Sequence, residues 1–277
     1  MLTSLASLAA PAASAGQADA PLSFGVVNQR SAVLTAQYWN PILRYVSQKS
    51  GIPLQLKLAK NGQEHAAMIR RGEFAFIYSN HQFSPENSLV GYTVIARPLE
   101  STIRGEIIVP ADSPLQSLNQ LHDREVVFPS KAAFIGYEVP MEALQRAGIA
   151  VRPKFAGTQE GALGQLLAGR APAAGVNAAI ARDYAARRNA TYRVLWSSAE
   201  YPGIPIAAHP SLARPTVDAV RSALQNMAND PQGEKILAAS GQLLQQEPPY
   251  GFTAASDADF EQIRQFYRNK AASASRP

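Results

Sequence analysis

Val126-Val127-Phe128-Pro129-Ser130-Lys131-Ala132-Ala133-Phe134-Ile135-Gly136-Tyr137-Glu138-Val139-Pro140 carries the chain from a strand into a helix. Two β-branched residues and a phenylalanine read as a short buried strand, and Pro129-Ser130 ends it. Tyr137, Met141, Leu144 and Ala147 then recur at helical spacing as far as Gly148. A helix N-terminus leaves backbone N–H groups without intrahelical partners, and the macrodipole adds partial positive charge at the same spot. Such a corner suits an anion or a polar ligand. A lone corner of this kind is more often a plain connection, so its meaning depends on the chain around it.

Outward from that stretch, short apolar runs alternate with amphipathic helices. Residues 22–27, 54–58, 74–78 and 92–96 read as strands. Between them Ser31 caps a long helix that Gly51 ends, and residues 63–71 form a shorter one. This βαβαβ succession is the kind that builds a doubly wound parallel sheet. A second unit follows, with strands at 104–110, 125–128, 152–155, 173–176 and 192–196 and helices at 139–147, 160–168 and 178–187. Residues 204–208 give one more strand, and helical stretches at 217–228, 233–239 and 257–267 close the chain. The expected fold class is therefore α/β, two doubly wound lobes joined by a two-crossing hinge near 99–105 and 196–203. Residues 21–100 and 204–277 form the first lobe and 101–203 the second. Ligands of open α/β sheets bind beyond the carboxyl ends of strands, which here means the cleft between lobes.

The 277 residues are 46% hydrophobic and 17% charged, as in globular domains, and the net charge is +5. The 26 lysines and arginines are scattered, without the aromatic interleaving of nucleic-acid binders, so no nucleic-acid partner is expected. Absence of cysteine excludes disulfides, thiolate metal sites and a cysteine nucleophile. His65, His81, His122 and His209 lack metal-ligand spacing and read as surface or loop residues, so neither a metal nor a cofactor is expected. No Gly-x-Ser-x-Gly elbow, paired catalytic carboxylates or phosphate-binding glycine loop is present, and only Lys131 is placed to serve an enzyme on this fold. No catalytic residue is assigned. Residues 1–20 read as the remnant of a secretory signal, with Ala13-Ser14-Ala15 as its A-x-A cleavage site.

Polar residues gather where strands end. Gln29 and Ser31 follow the first strand, Tyr78, Ser79 and Asn80 the third, and Ser130 and Lys131 the strand of the opening stretch. Thr158, Gln159 and Asn177 close strands of the second lobe, and Phe134 adds an apolar wall. Each polar group reads equally well as a helix cap. Their recurrence at one edge of both lobes marks a cleft that hydrogen-bonds a small ligand.

From about Leu22 to about Tyr267 the chain resembles the substrate-binding proteins of phosphate, phosphonate and phosphite ABC transporters, a branch of the type 2 periplasmic binding proteins. The resemblance lies in Phe24-Gly25-Val26-Val27, in Tyr38-Trp39-Asn40-Pro41-Ile42-Leu43-Arg44-Tyr45-Val46 and in Arg71-Gly72-Glu73-Phe74-Ala75-Phe76-Ile77-Tyr78-Ser79-Asn80. Arg104-Gly105-Glu106-Ile107-Ile108-Val109, Asp112-Ser113-Pro114 and Gly136-Tyr137 with Pro140 continue it in order. It implies a monomeric, hinge-closing receptor in the periplasm that captures a small anion for an ABC permease, or for a membrane sensor kinase in divergent branches. One departure stands out. The Ser-Thr-Ser with which phosphonate binders grip their ligand corresponds to Ala133, Phe134 and Ile135, and the family's histidine to Thr158, while Tyr78 is retained. The resemblance therefore implies weak phosphonate binding and a more apolar pocket.

Overall fold

The computed structural model describes residues 20–99 and 102–274, so the expected leader lies outside the described residues except for Ala20. In chain order the elements begin with β1 (Leu22–Val26), α1 (Ala32–Ser50), β2 (Leu54–Lys57), α2 (Gly62–Arg70), β3 (Phe76–Tyr78), α3 (Pro85–Ser88) and β4 (Thr93–Pro98). Next come β5 (Thr102–Ile103), β6 (Gly105–Pro110), β7 (Glu125–Phe128), α4 (Val139–Arg146), β8 (Arg152–Phe155), α5 (Gln159–Leu167) and β9 (Ala173–Asn177). The chain continues through α6 (Ala178–Arg188), β10 (Tyr192–Ser197), β11 (Tyr201–Pro202), β12 (Ile206–Ala208), α7 (Arg214–Gln225), α8 (Pro231–Leu243), β13 (Phe252–Ala254) and α9 (Glu261–Ala274).

Two main sheets organise these elements. One has six strands in the order β13-β4-β12-β3-β1-β2, the other five in the order β10-β6-β9-β7-β8. The sheets are mixed where sequence periodicity predicts parallel ones. β1 pairs in parallel with β2 and β3, but β12 runs antiparallel to both β3 and β4, and β6 antiparallel to β9. Parallel neighbours need a long crossover, usually a helix. β6 and β12 arrive directly from the other lobe with no such helix before them, and so enter in the opposite sense. The passing segments pair with each other as a two-stranded ribbon, Tyr201 opposite Ile103 and Pro202 opposite Thr102.

α1 shows how local sequence sets an element. The Ser31 side chain accepts a hydrogen bond from the Leu34 N–H, Trp39, Ile42, Leu43 and Val46 are buried on one face, and Gly51 ends the helix at φ 72°, where side chains are strained. That face packs on the six-stranded sheet with Phe24, Leu224 and Leu237. The sheet's opposite face buries Ile69, Phe74, Ile77, Phe83 and Phe260, and this core extends to Phe134, Ile135 and Val139 of the second lobe. The five-stranded sheet has its own core on each face, around Val127 and Leu163 on one and Phe128 and Leu144 on the other.

Candidate functional site

Strand ends from both lobes meet in a narrow slot of about 30 Å³. It is lined by Gln29 after β1, Asn80 and His81 after β3, Ser130 after β7, Gln159 at the start of α5 and Asn177 at the end of β9. Asn80, His81, Ser130, Gln159 and Asn177 are each at least nine-tenths buried. Gln159 Oε1 accepts from the Asn177 backbone N–H at 3.0 Å, while Asn177 Oδ1 accepts from the N–H groups of Ala179 and Ile180. These bonds fix both amides by their oxygens, and their NH2 groups remain the donors each side chain has to offer. Asn28, also on the slot, donates to the Ala59 carbonyl, and its buried Oδ1 has no partner.

Gln29, Asn177, Ile103 and Ile204 also border a larger cavity of about 600 Å³. Its walls include Tyr38, Tyr78, Arg30 and Asp183. Burial pushes the Tyr38 phenol up to about 12, and burial together with the nearby Tyr38 raises that of Tyr78 still further. Both tyrosines are therefore neutral donor-acceptors in the cleft.

The lobes touch across this cleft. Arg30 on the first lobe and Asp183 on the second form an ion pair at 2.7 Å, with side chains 10% and 14% exposed. Burial raises the Asp183 pKa despite the arginine beside it, so desolvation outweighs the attraction. The Ser31 N–H donates to Glu160 Oε2 at 3.0 Å, the Glu160 N–H to the Gln29 carbonyl at 3.2 Å, and the Gly62 N–H to the Gly157 carbonyl at 3.3 Å. Gly62 sits so close that a Cβ there would lie 2.8 Å from Ser130 Oγ.

The residues singled out in the sequence thus divide. Gln29, Asn80, Ser130, Phe134, Gln159 and Asn177 come together at the slot, and Tyr78 lines the larger cavity. Ser79 is buried and accepts from the His81 N–H. Ser31 and Thr158 cap α1 and α5. Lys131 is exposed, 5.9 Å from the Phe155 ring centre, and borders a separate pocket with Glu138 and Lys270. Phe134 also stands edge-on to Tyr201 and Phe266, which ties the loop after β7 to α9.

Two histidines depart from expectation. His65 and His81 are buried, at 0% and 3% exposure, with ring centres 5.4 Å apart. His65 looks like a surface residue between Glu64 and Ala66, but α2 turns it onto Phe74, 5.2 Å away. Asp183, Glu160 and Gly62 are further cleft residues that sequence reasoning did not assign. Arg30 and Asp183 lie 153 positions apart, and no local pattern links them.

Similarity to known proteins agrees with this architecture. A solved structure of PhnD1 from Prochlorococcus marinus in complex with methylphosphonate superposes with a TM-score of 0.77 at 15% identity, covering 90% of this chain and 98% of that one. A binding protein component of an ABC phosphonate transporter from Pseudomonas aeruginosa gives 0.78 at 18% identity, covering 90% and 86%. A Xanthomonas citri protein bound to chloride ion gives 0.68 at 18%, covering 90% and 97%. At such identities the likeness shows the fold, that of type 2 periplasmic binding proteins. Comparison with curated proteins gives no match. Among the described residues no helix is long and apolar enough to cross a membrane. The sequence family described as "ABC transporter, phosphonate, periplasmic substrate-binding protein" matches residues 24–260, nearly the whole two-lobed body, and the chain belongs to that family.

Proposed function

We propose that this protein binds a small oxyanion of the phosphonate or phosphate type by closing its two lobes around it, and hands it to an ABC permease without chemical change. The meeting of Asn80, Ser130, Gln159 and Asn177, two lobes contributing to one slot, carries this reading. Neutral donors suit such an anion: hydrogen bonds to charged groups contribute about 1.5–3 kcal/mol each, without fixed charges that would hold the ligand too tightly for release. Arg30 borders the adjoining cavity with its charge already paired to Asp183. Phe134 faces Tyr201 and Phe266 where phosphonate binders carry a hydroxyl, which supports weaker recognition of the phosphonate head in this chain. Secretion to the periplasm and action as a monomer belong to the same proposal, supported by the family and by the A-x-A signal at Ala13-Ser14-Ala15.

The test is calorimetry with phosphate, phosphite, methylphosphonate, 2-aminoethylphosphonate and sulfate. At least one oxyanion is expected to bind, with 2-aminoethylphosphonate weak. Ser130→Ala is expected to lower the affinity of the best ligand about 10- to 100-fold. Tyr78→Ala should lower it as well. No binding of any oxyanion, or unchanged affinity in both variants, would overturn the reading.

A further inference from the structure

His81 opens the short turn His81–Phe83 after β3, at the carboxyl edge of the six-stranded sheet. Its backbone is fully engaged: the N–H donates to Ser79 Oγ at 3.1 Å and the carbonyl accepts from Asn87 Nδ2 at 3.0 Å. Its ring is not. Nδ1 is buried without a partner, and His81 lines both the slot of Ser130, Gln159 and Asn177 and the separate pocket beside Lys131 and Glu138. Behind it both ring nitrogens of His65 are buried without a partner, and so are both polar atoms of the neighbouring Gln82 side chain. Buried polar atoms are nearly always paired, so five orphans around one turn require an explanation.

We infer that His81 is a ligand-contacting residue that hydrogen-bonds the captured oxyanion and takes up a proton from solvent as the anion enters. This rests on the reading of the slot as an oxyanion site. Without an anion, burial pushes His81 down to about 4, and burial plus the neighbouring His81 holds His65 well below the usual histidine range. An oxyanion within hydrogen-bond distance supplies the charge that a buried imidazolium lacks. The elements packed against the turn are α2, α3 and α9. Glu64, His65 and Arg70 lie on α2, Glu86 on α3, and Glu261, Arg264, Tyr267, Arg268 and Lys270 on α9, with Lys131 and Glu138 across the neighbouring pocket; Glu64 pairs with Arg71 and Glu261 with Arg268. Arg70 is neutralised by Glu86, Lys270 by Glu138 and Arg264 by Asp257. The carboxylates near His81 are thus already committed to cations, which leaves the proton on His81 to be balanced by the ligand.

Calorimetry of the whole chain with methylphosphonate and with sulfate, at pH 7.5, 6.5 and 5.5 in buffers of differing ionisation enthalpy, tests this. The ratio of wild-type to His81→Gln affinity cancels the ligand's own titration. It is expected to rise at least fivefold from pH 7.5 to 5.5, with net proton uptake by the wild type alone. A ratio independent of pH, with the wild type still binding, overturns the role of His81 and leaves the oxyanion site standing. Failure of the wild type to bind either probe, and phosphate, phosphite and 2-aminoethylphosphonate as well, at any pH overturns both. Should His81→Gln fail to fold, NMR of the wild-type imidazoles decides: a His81 titration that moves upward on adding sulfate supports the proposal, and an unmoved one overturns it.

Discussion

The slot and the larger cavity share Gln29 and Asn177, yet they are made of opposite materials. The slot is narrow, and its polar lining residues, among them Asn80, Ser130, Gln159 and Asn177, are neutral and stand beside apolar ones such as Phe134 and Ile135. The cavity is about twenty times larger and is crossed by a charged pair, Arg30 with Asp183. The difference separates two tasks. On the proposed reading, neutral groups such as Gln159 and Asn177, fixed by bonds to backbone N–H groups, would select a ligand by geometry, whereas the ion pair joins the lobes. Since burial raises the Asp183 pKa against the pull of Arg30, this pair gives registry more than strength.

Four variants can break or sharpen that contrast. Gly62→Val forces methyl groups into Ser130 at the slot, where even a bare Cβ would come within 2.8 Å of Oγ. Overpacking costs about 1–3 kcal/mol, so ligand affinity is expected to fall roughly 5- to 150-fold, with a larger radius of gyration in ligand-bound samples by X-ray scattering. Arg30→Met strands Asp183 and should weaken ligand binding by about 1–2 kcal/mol through looser closure. The paired change Arg30→Met with Asp183→Leu should recover most of that loss; if it does not, the pair contributes strength and the contrast fails. Thr158→Ala comes last. Its hydroxyl accepts from the Gly161 N–H as a helix cap, so unfolding by urea should show a loss of about 1 kcal/mol with ligand affinity changed less than about twofold. A tenfold loss of affinity would make Thr158 part of the slot.

Local chemistry was legible and long-range pairing was not. Ser31, the buried stripe from Trp39 to Val46 and Gly51 mark α1 because each signal acts within a few residues. β12 is recognisable as a strand, but nothing near Ile206 tells that it inserts antiparallel between β3 and β4. β5 and β11 have two residues each, too few for any periodicity, and exist because the crossings run side by side. Among residues of the slot, Ser130 and Asn177 could be found because both follow strand ends at the cleft edge. Thr158 shares that position and spends its hydroxyl on a cap, a competition that composition cannot decide. His65 and His81 are beyond sequence reading, since their burial depends on Phe74 and on each other.

Phe134 has a practical use in instrument design. It stands on the loop after β7 and meets Phe266 and Tyr267 of α9, while Lys270 of the same helix pairs with Glu138. The loop beside Ser130 is thereby coupled to the last helix, α9. An environment-sensitive dye at exposed Asn269, one turn from these contacts, would turn lobe movement into an optical signal without touching the slot. The C-terminal helix is the place to make this receptor a sensor.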